Sequence, residues 1–445
     1  MAQVAQIALC LEMPEDFGLA KIAKQLGHEE AVALFWEAAA KEDAGDVNGA
    51  IQLYKRAFRK WPALDSNDDE GLPRAVRREA EAAGIDCIAL AKSSMETQDS
   101  PRFAITDRQQ WLAYLEEYGY CVLADVADAK TVAEAKSLLW DFLESVPETQ
   151  VRRHSISTWE TQAGWLPSQS NGILGGFGFA HSEFCWRARL LPGVRAAFAA
   201  IWQSDDLIVS FDGGNVFRPW TGRAEWKTEG SWWHIDQNAF LPGKDCRVSV
   251  QGFVTFTDAT PASGGLCVIP GSHKQHQEVC ERASGKEMSR DFVPIQAGDP
   301  VLDLGPKLVC AKAGDLVLWD SRCVHCNTPG VVDIESEGME TAANCAAELL
   351  RVVGYVCMTP AAWASDDILA KRRDAFINNV STNHWPHEHH QDGEPAPWLP
   401  AKKWSDASVP QKRMIVGASS PLLEEENMSD SRDETGPDQV KATGS

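Results

Sequence analysis

The stretch Gly230-Ser231-Trp232-Trp233-His234-Ile235-Asp236-Gln237 decides how the rest of the chain is read. His234 and Asp236 are two residues apart, and on a strand residues i and i+2 point to the same face. One imidazole and one carboxylate therefore aim at a common point, with Trp232 and Trp233 beside them to face a substrate. This is two-thirds of a facial triad of two histidines and one carboxylate. Such a site holds non-haem Fe(II) and leaves positions open for further ligands. A third ligand and a cosubstrate anchor must come from elsewhere in the chain, and until they do zinc stays an alternative.

The chain has 445 residues, 44% of them apolar, enough for one large or two to three ordinary domains. No run approaches the roughly 18 apolar residues of a membrane span. Residues 4–11 form a short apolar patch without a basic flank, and Glu12, Glu15 and Asp16 follow, which argues against a secretory signal. A cytosolic protein is expected. The net charge of −22 disfavours nucleic acid as a partner. Twelve cysteines without tight pairing are expected to be reduced. The single Cys-x-x-Cys, Cys323 to Cys326, has neither a second pair nor a thioredoxin-like context, so no zinc or redox role is read into it.

Residues 1–95 read as helical. An amphipathic helix over 29–41 carries Val32, Leu34, Phe35, Trp36 and Ala39, Gly45-Asp46 is a turn, and a second helix over 47–61 is stopped by Pro62. Two short helices joined by a tight turn make a helical hairpin. A charged helix is expected over 73–91 and a polar linker over 93–101. From Thr106 the pattern changes to a helix (107–118), a strand (119–123) and a long amphipathic helix (129–146), ahead of a β-rich body. That is an α+β arrangement. Residues 150–180, rich in aromatics and glycine, read as an irregular loop able to roof a pocket. A helix is expected over 191–202. Strands are then expected over 207–211, 233–237, 247–257, 266–269, 315–319 and 350–358. They are separated by Gly, Pro and Asp turns, as in an antiparallel barrel or jelly roll. A helix follows over 366–380. His384, His387, His389 and His390 lie in a Pro- and Gly-rich segment and read as a surface loop rather than a metal site. The tail, 418–445, is polar and acidic and is expected to be disordered. The resulting division is 1–95, 101–417 and 418–445.

Candidates for the missing parts of the site lie C-terminal to the opening stretch. In the segment from Gly314 to His325 an apolar strand ends at a polar turn that presents His325. In Leu349 to Val356 a β-run is interrupted by Arg351. A guanidinium inside a core needs a partner, and it matches a carboxylate with two parallel hydrogen bonds. A dicarboxylate cosubstrate would supply that partner. An edge strand exposing Arg351 to solvent is the alternative.

Four segments carry a resemblance: Ser210 to Pro219, Trp233 to Gln237, the run Gly264-Gly265-Leu266-Cys267-Val268-Ile269-Pro270-Gly271-Ser272-His273, and Gly314 to Pro329. With the strand at Gly119-Tyr120 they cover roughly residues 103–390. The chain resembles the phytanoyl-CoA dioxygenase (PhyH-like) family of Fe(II)/2-oxoglutarate-dependent oxygenases. The second helix of the hairpin, with Ala50, Tyr54, Ala57 and Pro62 at the matching spacing, resembles one copy of a tetratricopeptide repeat. The family resemblance implies a double-stranded β-helix (jelly-roll or cupin-like) core with flanking helices. It implies Fe(II) held by His234, Asp236 and His325, and 2-oxoglutarate and O2 as cosubstrates, with the distal carboxylate of 2-oxoglutarate on Arg351. Asn327 falls where the family places a polar cosubstrate contact, and Gln251 is expected to face the pocket and contact the cosubstrate. His273 is not a ligand in the family and reads as structural.

The pattern is not matched everywhere. An acidic insert, 333–348, separates His325 from Arg351. Arg322 is an alternative anchor, but its odd spacing from His325 puts it on the opposite strand face. Val353 stands where the family often has a hydroxyl. Cys323, two residues before His325, is expected to point at the metal. Asp236 is the carboxylate that halogenating relatives lack, so oxygenation is the expected chemistry. The reading is a dioxygenase hydroxylating a small organic molecule with release of succinate and CO2. The alternatives are a protein hydroxylase whose partner docks on the N-terminal hairpin, or a non-catalytic scaffold with a degenerate barrel.

Overall fold

The computed structural model describes residues 22–24, 26–43, 46–65, 76, 100–220, 223–296, 298–330 and 348–423. The expected helix over 73–91, apart from Val76, lies outside them, as do the linker over 93–99, nearly all of the acidic insert and residues 424–445. The strands in chain order are β1 (Arg102–Phe103), β2 (Tyr120–Leu123), β3 (Ile173–Leu174), β4 (Leu207–Val209), β5 (Gly214–Phe217), β6 (His234–Ile235), β7 (Val250–Thr255), β8 (Gly265–Val268), β9 (Val293–Pro294), β10 (Lys307–Leu308), β11 (Leu316–Asp320), β12 (His325–Thr328) and β13 (Arg351–Pro360). The chain divides into two compact units, one of residues 1–173 and 215–353, the other of 174–214 and 354–445. No helix among the described residues is long and apolar enough to cross a membrane.

In the first unit the N-terminal helices Glu29–Asp43 and Val47–Lys60 form the expected hairpin. The carboxylate of Asp46 accepts from the Gly49 N–H and caps the second helix. Val32, Phe35, Leu53, Tyr54, Ala57 and Trp61 close a core that, among the described residues, is made of residues 22–76. Trp61 ends the second helix and stacks on His28, ring centroids 4.6 Å apart.

The helix Arg108–Tyr118 ends at Gly119, whose φ of 79° suits glycine. A Cβ there would stand 2.5 Å from His273 Nδ1, so the chain can turn into β2 only without a side chain. The helix Ala129–Ser145 begins where Asp128 accepts from the Thr131 N–H. One sheet runs β1-β2-β11-β7 and continues into the first residues of β13 and into β5. The other runs β10-β8-β12-β6-β9, with every pair antiparallel. Residues 150–172 are irregular, with short 3₁₀ turns at Ile156–Thr158 and Thr161–Ala163.

Several elements differ from expectation. The strand expected over 233–237 is regular only at His234–Ile235. His325 sits on β12 and not on a polar turn. Its sequence, His-Cys-Asn-Thr, hides the strand because alternate positions carry a histidine and an asparagine for the interior in place of apolar residues. β5 and the helix His276–Arg282 also had no clear periodic signal.

In the second unit β4 pairs antiparallel with the end of β13, Met358 opposite Val209 and Pro360 opposite Leu207. The helices Glu183–Arg189, Pro192–Trp202, Asp366–Ile377 and Val409–Val416 belong to it. The fully buried Arg372 donates to the carbonyls of Ile415, Pro386, Val209 and Met414 and so ties four chain segments together. Contrary to the expected start of the tail at 418, the Ala418 and Ser419 N–H groups donate to the Asp206 carboxylate, and Pro421–Leu423 forms a 3₁₀ turn.

Candidate metal centre

His234 on β6 and His325 on β12 are direct cross-strand partners, their rings 4.2 Å apart. Asp236 lies one residue past the end of β6, where its N–H donates to the Ser321 carbonyl. Its Oδ1 is 3.5 Å from His234 Nε2 and its Oδ2 is 3.3 Å from His325 Nε2. One ligand atom from each of the three residues lies within 4.8 Å of the other two, and this is the only such group of three or more among the described residues. The C-terminal histidines do not form another; His390 Nε2 rests 2.9 Å from the Glu388 carboxylate.

Both imidazoles are set for metal binding by their far nitrogens. His234 Nδ1 is 3.0 Å from the Trp232 carbonyl, and His325 Nδ1 is 2.9 Å from the Cys323 carbonyl. A carbonyl only accepts, so each Nδ1 carries the proton and each Nε2 turns its lone pair to the centre. Burial, and then the neighbouring His234, hold the His325 imidazole below its ordinary range, in the neutral form that ligates. Two imidazoles and a carboxylate, with no fourth ligand among the described residues, fit a non-haem iron and not a closed structural zinc site.

Gln251 on β7 faces the centre as expected, but its Nε2 donates to Asp236 Oδ2 at 2.8 Å. That hydrogen bond ties the amide to the carboxylate. Asn327 is two residues from His325 on β12, on the same face, and is 6% exposed. Cys323 does not point at the metal. Its Sγ lies 3.4 Å from Ser272 Oγ and 3.3 Å from the Ile269 carbonyl, and burial pushes its thiol up to about 12. Cys323 is in the turn before β12, not in the strand, so the two-residue period of a strand does not extend to it. His273 is structural: its Nε2 lies 2.9 Å from the Glu116 carbonyl.

Arg351, at the start of β13, is 2% exposed and so is not an edge arginine. Its Nε donates to Asn215 Oδ1 at 2.8 Å. Its Nη1 is against Gly265, the residue opposite Thr328, whereas His325 is opposite Val268. The two levels are three residues apart, about 10 Å along the strand. Arg322 forms a two-pronged pair with Asp320, Nε to Oδ1 at 2.9 Å and Nη2 to Oδ2 at 2.8 Å. Val353, fully buried, has no hydroxyl to add.

Aromatic rings flank both histidines. Trp232 stacks on His234 at 4.9 Å, Phe292 lies on it at 4.7 Å, and Trp319 is 5.5 Å from His325. Trp233 turns the other way, into an apolar cluster with Ile235 and Val324. Asn215, Phe292 and Trp319 were not singled out in the sequence. Asn215 and Trp319 stand inside matched segments, where attention to polar and aromatic residues on interior strand faces would have found them. Phe292 had no signal.

The family description phytanoyl-CoA dioxygenase (PhyH) matches residues 115–329. A protein of Aspergillus versicolor, Ava biosynthesis cluster protein O, is 30% identical over 249 residues, which cover 52% of this chain and 71% of that protein. A Dictyostelium discoideum protein provisionally described as a phytanoyl-CoA dioxygenase is 22% identical over 246 residues, 48% of this chain and 68% of the other. Among solved structures, the non-haem alpha-ketoglutarate-dependent epimerase SnoN from nogalamycin biosynthesis is similar at a TM-score of 0.39 and 17% identity, over 57% of this chain and 84% of that one. The family match over residues 115–329, a range that spans His234, Asp236 and His325, and the A. versicolor relative covered over 71% of its length, place this chain in the phytanoyl-CoA dioxygenase family, as an iron- and 2-oxoglutarate-dependent oxidoreductase.

Proposed function

We propose that His234, Asp236 and His325 hold the Fe(II), that Arg351 receives the distal carboxylate of 2-oxoglutarate, and that the enzyme hydroxylates a small organic molecule. The two sheets are read as the walls of a double-stranded β-helix, supported by the meeting of His325 from one and Gln251 from the other at Asp236. The observation that carries the proposal is the convergence of the three ligand atoms, with both Nδ1 groups turned away onto carbonyls.

Bound there, the iron supplies the oxidising chemistry: 2-oxoglutarate and O2 become succinate and CO2, with the second oxygen atom going to the substrate C–H. The chain's own residues do the rest. Gln251 holds Asp236 so that the carboxylate faces both imidazoles. Arg351, about 10 Å along the strand, sets which end of a five-carbon dicarboxylate reaches the metal. Asn327 adds a polar contact on the same strand face, and Trp232 and Phe292 shield the His234 ring from water.

Adding Fe(II) and 2-oxoglutarate to the purified protein without oxygen should produce a weak visible charge-transfer band, and His234→Ala should abolish it. Absence of the band from the wild-type protein would sink the proposal. Succinate release screened across metabolites and peptides then separates small-molecule from protein hydroxylation.

A further inference from the structure

Asn215, near the start of β5, has no exposed surface. Both ends of its amide are engaged: Oδ1 accepts from Arg351 Nε at 2.8 Å, and Nδ2 donates to the Asn171 carbonyl at 2.7 Å. A guanidinium only donates and a carbonyl only accepts, so the amide has one possible orientation. The guanidinium lies over the rings of Phe253 and Phe217, at 4.8 and 5.6 Å from their centres. It also lies against Gly265, whose φ is 149° and where a Cβ would stand 2.5 Å from Nη1. A guanidinium can pair with a carboxylate through Nε and one Nη, or end-on through Nη1 and Nη2. Asn215 occupies the first of these edges.

Building on the reading of Arg351 as the cosubstrate anchor, we infer that Asn215 and Gly265 are positioning residues for the carboxylate that Arg351 receives. Asn215 closes the Nε edge and Gly265 leaves room for Nη1, so a dicarboxylate is met end-on by Nη1 and Nη2. Asn215 also ties the anchor to the turn before β3. There Asn171 Oδ1 accepts from the Ile173 N–H and the Gly172 carbonyl accepts from the Val216 N–H. Without the Asn215 amide the guanidinium gains rotamer freedom, and the incoming carboxylate has to order it at the moment of binding.

The test titrates the anaerobic Fe(II)-loaded protein with two acids and reads the visible band of the bound 2-oxo acid. One acid is 2-oxoglutarate. The other is 2-oxopentanoate, the same chain without the distal carboxylate. Asn215→Ala should weaken 2-oxoglutarate roughly 10- to 100-fold, the worth of a hydrogen bond to a charged group, and leave 2-oxopentanoate unchanged. Gly265→Ala should give the same selective loss by displacing Nη1, and it decides the matter if Asn215→Ala does not fold. Wild-type affinity for 2-oxoglutarate in the variants, or an equal loss for both acids, overturns the inference. A wild-type protein that binds the two acids equally overturns instead the reading of Arg351 as the anchor.

Discussion

Gln251 illustrates how much of this centre depends on single atoms outside the ligand set. Its amide donates to the oxygen of Asp236 that also faces His325. Outer partners of this kind tune metal affinity by roughly 10- to 100-fold. Gln251→Leu should therefore weaken Fe(II) binding by about that factor, measured by competition with a chromophoric chelator; unchanged affinity would remove Gln251 from the metal's support. The two arginines separate in the same way. Arg351→Ala should raise the 2-oxoglutarate requirement sharply. Arg322→Ala should leave it alone and lower thermal stability by about 1–3 kcal/mol, because the fully buried Asp320 then loses two charged hydrogen bonds and keeps Arg247 and the residue 322 N–H. The reverse outcome would move the anchor to Arg322. Of these residues, His234, Asp236, His325 and Arg351 were legible in the sequence by type and spacing. The hydrogen bond from Gln251 to Asp236 was not, because a side-chain amide serves a carboxylate or a cosubstrate equally well until its neighbour is known.

The N-terminal hairpin is an element that closes its own core. Among the described residues its apolar cluster draws only on residues 22–76, with Trp61 1% exposed between the helices and the turn that follows them. Trp61→Ala should cost the hairpin about 3–5 kcal/mol, the usual range for truncating a buried tryptophan. If the hairpin is a module with its own stability, that loss should leave the anaerobic Fe(II)/2-oxoglutarate band intact. A band that vanished with the hairpin would make these helices part of the oxygenase core. The hairpin was readable because its apolar residues recur at helical spacing. β12 was not, since the element that presents His325 spends its interior positions on polar side chains.

Over the whole molecule, burial sets a common acid limit. It holds the imidazoles of His181, His273, His276 and His325 below their ordinary range, that of His181 at about 3. In the unfolded chain these groups take up protons near pH 6.5. Below that pH the unfolded state binds protons that the fold excludes, so this part of the stability is complete above about 6.5 and declines as pH falls, for His181 until about 3. The urea midpoint of the metal-free protein should be level from pH 8 to 7 and fall steadily from pH 6.5 to 5. A midpoint that held or rose over that range would mean that these histidines titrate as exposed ones do.

Residue type and spacing alone determined the α+β class, the helical hairpin, the three ligand candidates and Arg351 as an arginine inside a β-run. These are local properties: a strand's two-residue period and a helix's face can be read without knowing what lies opposite. Tertiary structure alone decided that His234 and His325 are cross-strand partners and that Gln251 serves Asp236. It also decided that Cys323 and Trp233 turn away from the centre and that Asn215 and Gly265 frame Arg351. Each of those is a contact between segments far apart in the chain, fixed by sheet register and by which carbonyl, ring or glycine the fold brings alongside, and no local pattern carries that information.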